Sequence, residues 1–255
     1  MVLSEADLRS ALRRIGSDAP VRSDEVTGST QATALSLAED GAPEWTLVAA
    51  GHQTAGRGRL GRTWLDEPGA LLFSVVLRPS LEAEHAGVLT LLAGLAMAET
   101  LGASGVEVGC KWPNDLLVRE EKVGGILAEA AVGEGRLEHV ALGLGVNLGA
   151  APGVAGAGSV AGPPPLETLG AFLETFAADY RALAAGRAGP ALGRYRRRCV
   201  TLGRRVRAIT VEGEDVVGEA VDIDGDGGLV LRTGEGVRTV RSGEVEHLLP
   251  PALPG

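Results

Sequence analysis

The chain changes texture at Cys199, and that break constrains the fold more than any other single feature. Downstream, short β-rich runs (RVRAITV, VVGEAVDI, GLVLR and VRTV) alternate with Gly/Asp turns. Strands at this spacing suit a small barrel of about fifty residues. Upstream, the segments are longer and helical periods mix with extended ones. Two units are therefore expected, meeting near residues 198 to 203.

Within the upstream unit, residues 4–15 read as a short amphipathic helix. Ser4 is its N-cap, and Leu8, Leu12 and Ile15 share one face. Residues 20–28 are extended, and a helix follows over Thr30–Ala38. Strands fit Trp45–Ala50, Ala70–Leu77, Val106–Lys111, Asp115–Val118, Gly124–Ala131 and His139–Asn147. A long helix fits Ala86–Leu101; its most apolar stretch, Val88–Ala98, is too short to span a bilayer and reads as a buried helix. The order is not strictly alternating, so an α+β fold with a mixed sheet is favoured over a doubly wound one. Residues 150–165, rich in Gly, Ala and Pro, form a loop or linker. A helix over Leu166–Ala185 and a short segment opening with the basic stretch Arg194–Arg198 complete this unit. The expected division is 1–22 as an N-terminal arm, 23–198 as the main domain and 199–255 as the small β unit.

Apolar residues make up 45% of the chain and charged ones 22%, with a net charge of −9. That is an ordinary globular composition. It lacks the basic excess of a nucleic-acid-binding protein. Cys110 and Cys199 are far apart in sequence and form no CxxC pair, which fits a reducing compartment. Glu5 and Asp7 stand where a signal peptide needs an apolar core. Two pattern matches are set aside. GRGRLG (56–61) satisfies GxGxxG but has no helix opening at it. DIDGDG (222–227) imitates the start of an EF-hand loop, yet position twelve is Thr233.

The chemistry concentrates in two motifs. HQTAGRGRLGRTW (52–64) interleaves Arg57, Arg59 and Arg62 with three glycines. Glycine lets a backbone approach an anion closely, and arginine adds paired donors for phosphate or carboxylate. A solvated basic turn would not need glycine at this density. KWPND (111–115) offers a compact cation, Lys111, beside a stiffened turn. Trp64 and Trp112 lie in these motifs; a flat ring beside a cationic loop is a stacking platform, and burial is the commoner use of the residue. KVGGILAE (122–129) and GLGVNLG (143–149) place closely spaced glycines in strands, a mark of close approach by a ligand or another backbone.

Taken in order, Gly28–Ser29–Thr30, Gln53, GRGRLGRTW, KWPND, KVGGILAE and GLGVN resemble the bacterial biotin–protein ligases. The motifs span roughly residues 24 to 149, and the β-rich tail resembles that family's SH3-like C-terminal domain. The resemblance implies biotin and ATP as substrates, with Mg2+, and biotinyl-5'-AMP as the intermediate. It implies transfer to a lysine of the biotin carboxyl carrier domain of acetyl-CoA or a related carboxylase. Biotin contacts are implied for Ser29, Thr30, Gln53, Gly56, Arg57, Lys111, Gly124 and Gly125. Adenylate contacts are implied for Arg59, Arg62, Trp64, Lys111, Asn114, Lys122, Gly143, Gly145 and Asn147. Lys111, Arg57, Arg59 and Asp115 are the expected catalytic groups, with Asp115 as the candidate that favours a neutral acceptor amine. Metal ligands are not assigned. Gln31 departs from the family's usual Asn and is left out of the site. The form expected is monofunctional, with no nucleic-acid or membrane partner, cytoplasmic, a homodimer being left open. A lipoate or octanoyl ligase of the same superfamily is the alternative.

Overall fold

The computed structural model describes residues 2–211 and 213–248; the end of the expected second unit, 249–255, lies outside the described residues. The elements run α1 (Glu5–Arg13), β1 (Val21–Thr27), α2 (Thr30–Glu39), β2 (Leu47–Gln53), β3 (Leu71–Leu77), α3 (Ala86–Gly102), β4 (Val108–Lys111), β5 (Asp115–Val118), β6 (Glu121–Gly133), β7 (Arg136–Val146), α4 (Pro165–Ala184), α5 (Gly189–Arg198), β8 (Arg205–Thr210), β9 (Asp215–Ile223), β10 (Leu229–Thr233), β11 (Gly236–Val240) and β12 (Gly243–His247).

The first seven strands form one mixed sheet, ordered β1-β2-β3-β7-β6-β5-β4. Only β1 and β2 run parallel; the other neighbours are antiparallel. β3 (LLFSVVL) is buried at every position, as a central strand covered on both faces must be. On one face, Ala34 and Ala38 let α2 lie close against Val48, Val76 and Ala141. On the other, α3 is apolar nearly all round. By length and composition Ala83–Gly102 would suffice to cross a membrane, but it sits inside the core between the sheet and α4. β6 and β7 extend beyond the expected strands because Glu134 and Gly135 both take positive φ (51° and 79°), the backbone of a tight two-residue hairpin.

α1 begins with a reciprocal cap: the Ser4 hydroxyl accepts from the Asp7 N–H, and the Asp7 carboxylate accepts from the Ser4 N–H. Its Leu8, Ala11 and Leu12 are buried against α4 and β1. The first 22 residues, expected as an arm, thus contribute to the main core.

The last five strands make a second sheet, β11-β10-β9-β8-β12, antiparallel throughout. The sequence pattern accounts for four of them. β12 escapes it because GEVEH carries one apolar residue, Val245, between two glutamates. α5 escapes it as a helix too, although Pro190 at its second position marks a helix start. The two sheets share one continuous core that includes Val206, Ala208, Ala220, Leu229 and Leu231. Trp112 is a strut between them: its ring is buried and its Nε1 donates to the Gly227 carbonyl at 2.9 Å. The ring therefore serves packing between the sheets, and the residue also borders the cavity described below.

Candidate functional site

A cavity of about 290 Å³ lies where the motifs converge. That is near the lower bound of roughly 300–1,000 Å³ typical of small-ligand sites. Its walls are the start of α2, the end of β2, the arginine loop, the β4–β5 turn, β6, β7 and, from the second sheet, β12.

One end is polar and neutral. Thr30 and Gln31 on α2, Ser74 on β3 and Gln53 at the end of β2 meet there; the first three are almost wholly buried. Gln53 Oε1 accepts from the Thr30 N–H (2.8 Å) and faces the Thr30 hydroxyl at 3.1 Å. Thr30 Oγ1 and Ser74 Oγ are 3.0 Å apart, and Ser74 Oγ lies 3.3 Å from Gln31 Oε1. Two hydroxyl protons thus serve three oxygen–oxygen contacts, so one contact always lacks a hydrogen. Gln31 Nε2 anchors the far side by donating to the Ala141 carbonyl at 2.9 Å.

The other end is cationic. Arg57, Arg59, Arg62, Lys111 and Lys122 all line it. The loop holding the arginines folds back on itself: Gly58 N–H donates to the Arg62 carbonyl (2.8 Å), and Trp64 N–H to the Gly56 carbonyl (2.9 Å). Leu60 and Gly61 turn the tip with positive φ. Arg57 pairs with Glu129 on β6 at 2.7 Å. Arg59 donates to the Gly243 carbonyl (3.1 Å) and to Asn114 Oδ1 (3.4 Å), and Arg62 pairs with Glu244. Burial pulls the Arg59 pKa below its usual value, opposed by Asp115 and Glu244. Lys122 Nζ sits 2.6 Å from Asp115 and 5.7 Å from the Trp64 ring centroid.

Between the ends the wall is flat. The Trp64 indole lies over β6 and β7: a Cβ built on Gly145 would be 2.5 Å from its Cε2, and one on Gly125 would be 3.2 Å from its Cζ3. These glycines are what the ring needs beneath it. Trp64 Nε1 is buried and donates to none of the described residues.

Thirteen of the expected site residues line the cavity: Thr30, Gln53, Arg57, Arg59, Arg62, Trp64, Lys111, Asn114, Asp115, Lys122, Gly125, Gly143 and Gly145. Four stand outside its wall. Ser29 caps α2, its hydroxyl accepting from the Ala32 N–H. Gly56 makes room for the Trp64 carbonyl, and Gly124 for Leu116 and the Gly145 carbonyl. Asn147 is buried and its Nδ2 donates to the Gly158 carbonyl (2.9 Å), fastening the 150–160 loop.

Outside the motifs, sequence reasoning missed Gln31, Ser74 and the β12 segment Gly243–Glu246. His247 adds a further link. Its Nδ1 accepts from Arg204 (3.3 Å), which puts the ring proton on Nε2, facing Thr201 Oγ1 at 3.2 Å. Thr201 Oγ1 also accepts from the Trp112 N–H (3.1 Å), beside Lys111. Burial, Lys111 and Arg204 hold the His247 pKa down to about 4.

Comparison with known proteins places this geometry among relatives. Residues 24–147 match the model described as the biotin/lipoate A/B protein ligase family, and residues 201–248 match the biotin protein ligase C-terminal domain. The biotin–[acetyl-CoA-carboxylase] ligase of Mycobacterium tuberculosis is 38% identical, covering 96% of each chain. The bifunctional ligase/repressor BirA of Bacillus subtilis is 34% identical over 96% of this chain and 79% of its own. Among solved structures, the biotin protein ligase from Aquifex aeolicus in complex with biotin and ATP superposes with a TM-score of 0.75. It is 26% identical and covers 89% of this chain and 97% of that one.

Proposed function

The chain belongs to the biotin/lipoate A/B protein ligase family, as an ATP-dependent biotin protein ligase, and from that premise we propose how its cavity carries the two half-reactions. The observation that carries the reading is the division of one cavity into a neutral hydrogen-bonding end, a flat middle and a cationic end. Biotin has the same three parts: a cyclic urea, a thioether ring with an aliphatic tail, and a carboxylate. A lipoyl group has no urea N–H to offer, and would leave the Gln53, Thr30 and Ser74 oxygens only one another's hydroxyl protons, one short for their three contacts.

In the first step the biotin carboxylate attacks the α-phosphorus of ATP and pyrophosphate leaves. The carboxylate is ionised at neutral pH, so no general base is needed. The barrier lies in bringing two anions together and stabilising charge at phosphorus. Lys111, Arg57 and Arg59 supply fixed positive charge there, usually the largest catalytic term. Thr30 and Gln53 hold the urea; Trp64, Lys122 and Asn114 hold the nucleotide. Among the described residues no group of three or more His, Cys, Asp or Glu gathers as a metal site. Of the carboxylates lining the cavity, Asp115 already pairs with Lys122 and Glu244 with Arg62. Magnesium therefore fits as part of the nucleotide substrate, held by its phosphates.

In the second step a lysine amine attacks the acyl carbon of biotinyl-5'-AMP and AMP leaves. At pH 7 only about one free lysine in 2,500 is neutral. Asp115, which lines the cavity, is the group we assign to take its proton once Lys122 turns to the phosphates. The acceptor is a biotin carboxyl carrier domain, a reading supported by the name of the mycobacterial relative. The compartment we assign is the cytoplasm, where ATP and carboxylases meet and two free thiols persist. The test is biotin-dependent release of pyrophosphate from ATP. Release driven equally by lipoate would move the assignment to the sister activity.

A further inference from the structure

Neither half-reaction gives a role to Gln31 at the neutral end. It is 3% exposed, yet it lines the cavity. Its amide spans from the Ala141 carbonyl to the Ser74 hydroxyl, so both of its ends are fixed. The space it fills is shared with Gly143: a Cβ built there would lie 2.4 Å from Gln31 Oε1 and 3.0 Å from Ser74 Oγ. Gly143 sits on β7 between β3 and β6, paired to Ser74 on one side and Leu127 on the other, so its backbone has no room to retreat.

We propose that Gln31, seated against Gly143, is the stop that sets the depth of the neutral end and makes the enzyme reject ureas carrying a substituent on a ring nitrogen. The long amide reaches β7 and closes the floor, while the missing side chain at 143 is what allows it to. Gln31→Asn removes one methylene and withdraws the amide from Ala141. The cavity then deepens by about one methyl group at the point where the urea sits. One methylene more or less in a pocket is worth about 10- to 200-fold in discrimination. The two positions should also compensate. Gly143→Ala alone drives its Cβ into Gln31 Oε1, whereas in the Gln31→Asn background the same Cβ refills the vacated space.

This inference rests on the biotin reading, and the experiment keeps the two apart. Wild type, Gln31→Asn, Gly143→Ala and the double variant are assayed for pyrophosphate release with biotin and with its two mono-N-methyl ureido derivatives. If wild type releases pyrophosphate with none of these, the biotin reading fails and the inference falls with it. If wild type uses biotin, Gln31→Asn should raise kcat/KM for an N-methyl derivative relative to biotin by about tenfold or more. The double variant should return that ratio toward wild type and recover biotin activity lost in Gly143→Ala. Ratios unchanged for both derivatives in Gln31→Asn, or a double variant no better than Gly143→Ala, would overturn the stop. Thermal melts of each variant separate failure to fold from change of selectivity.

Discussion

Gly145 offers the sharpest handle on the site, because its neighbours leave only one way out. It sits on β7 between β3 and β6, paired to Leu72 and Gly125, so the backbone cannot move aside. An alanine Cβ would lie 2.5 Å from Trp64 Cε2, 2.7 Å from Nε1 and 2.8 Å from Cζ2. The indole must therefore leave the wall. A tryptophan buries roughly 150–250 Å². Losing half of that cover at about 25 cal/mol per Å² costs about 2–3 kcal/mol. Gly145→Ala should accordingly weaken retention of the adenylate roughly 25- to 200-fold, read as dissociation of labelled biotinyl-5'-AMP. The same change in a Trp64→Ala background should cost no more than a few-fold, since the ring it displaces is gone. Equal losses in the two backgrounds would refute the reasoning: alanine would then be blocking the ligand directly.

Lys111→Ala should depress the rate of adenylate formation far more than it weakens ATP binding, because its charge meets the reacting centre; near-normal pyrophosphate release in the mutant would contradict this. Arg59→Gly cuts the loop from the Gly243 carbonyl and Asn114. With a charged hydrogen bond worth about 1.5–3 kcal/mol, the variant should leak adenylate ten- to a hundred-fold faster and biotinylate bystander lysines, a leak that single-turnover trapping would detect or exclude. His247 has a pKa of about 4, below its ordinary 6.5, so the unfolded chain takes up that proton first on acidification. Its contribution to stability is full above about pH 6.5 and is lost progressively toward pH 4. The melting temperature of His247→Gln should fall less steeply than that of wild type over this window, and parallel curves would remove the residue from the account.

The arginine loop and the KWPND turn were legible in the sequence because each is local: glycine spacing and charge within a dozen residues announce an anion site. The glycines of β6 and β7 were legible as close-approach positions, but not what approached them. The structure supplies the answer for Gly125 and Gly145, the Trp64 ring. Long-range placement was out of reach. Ser74 reads as one polar residue in an apolar strand, and only the pairing of β3 with β7 brings it beside Gly143. The segment Gly243–Glu246 lies far down the chain from the loop it anchors, in a strand too polar to announce itself. Gln31 differs in length from the family's residue, which hides it from motif matching, and that length is what carries it to Ala141. Ser29, Gly56, Gly124 and Asn147 belong to motifs next to the cavity, and sequence cannot separate a wall from its support.

The most direct measurement is the product itself. The protein is incubated with ATP, magnesium, biotin and a biotin carboxyl carrier domain, and the carrier is weighed intact and then mapped by peptide. One biotinyl increment on a single carrier lysine, dependent on ATP and absent when lipoate replaces biotin, is the result predicted here. A carrier left unmodified by biotin, or labelled with lipoate in its place, would contradict the account.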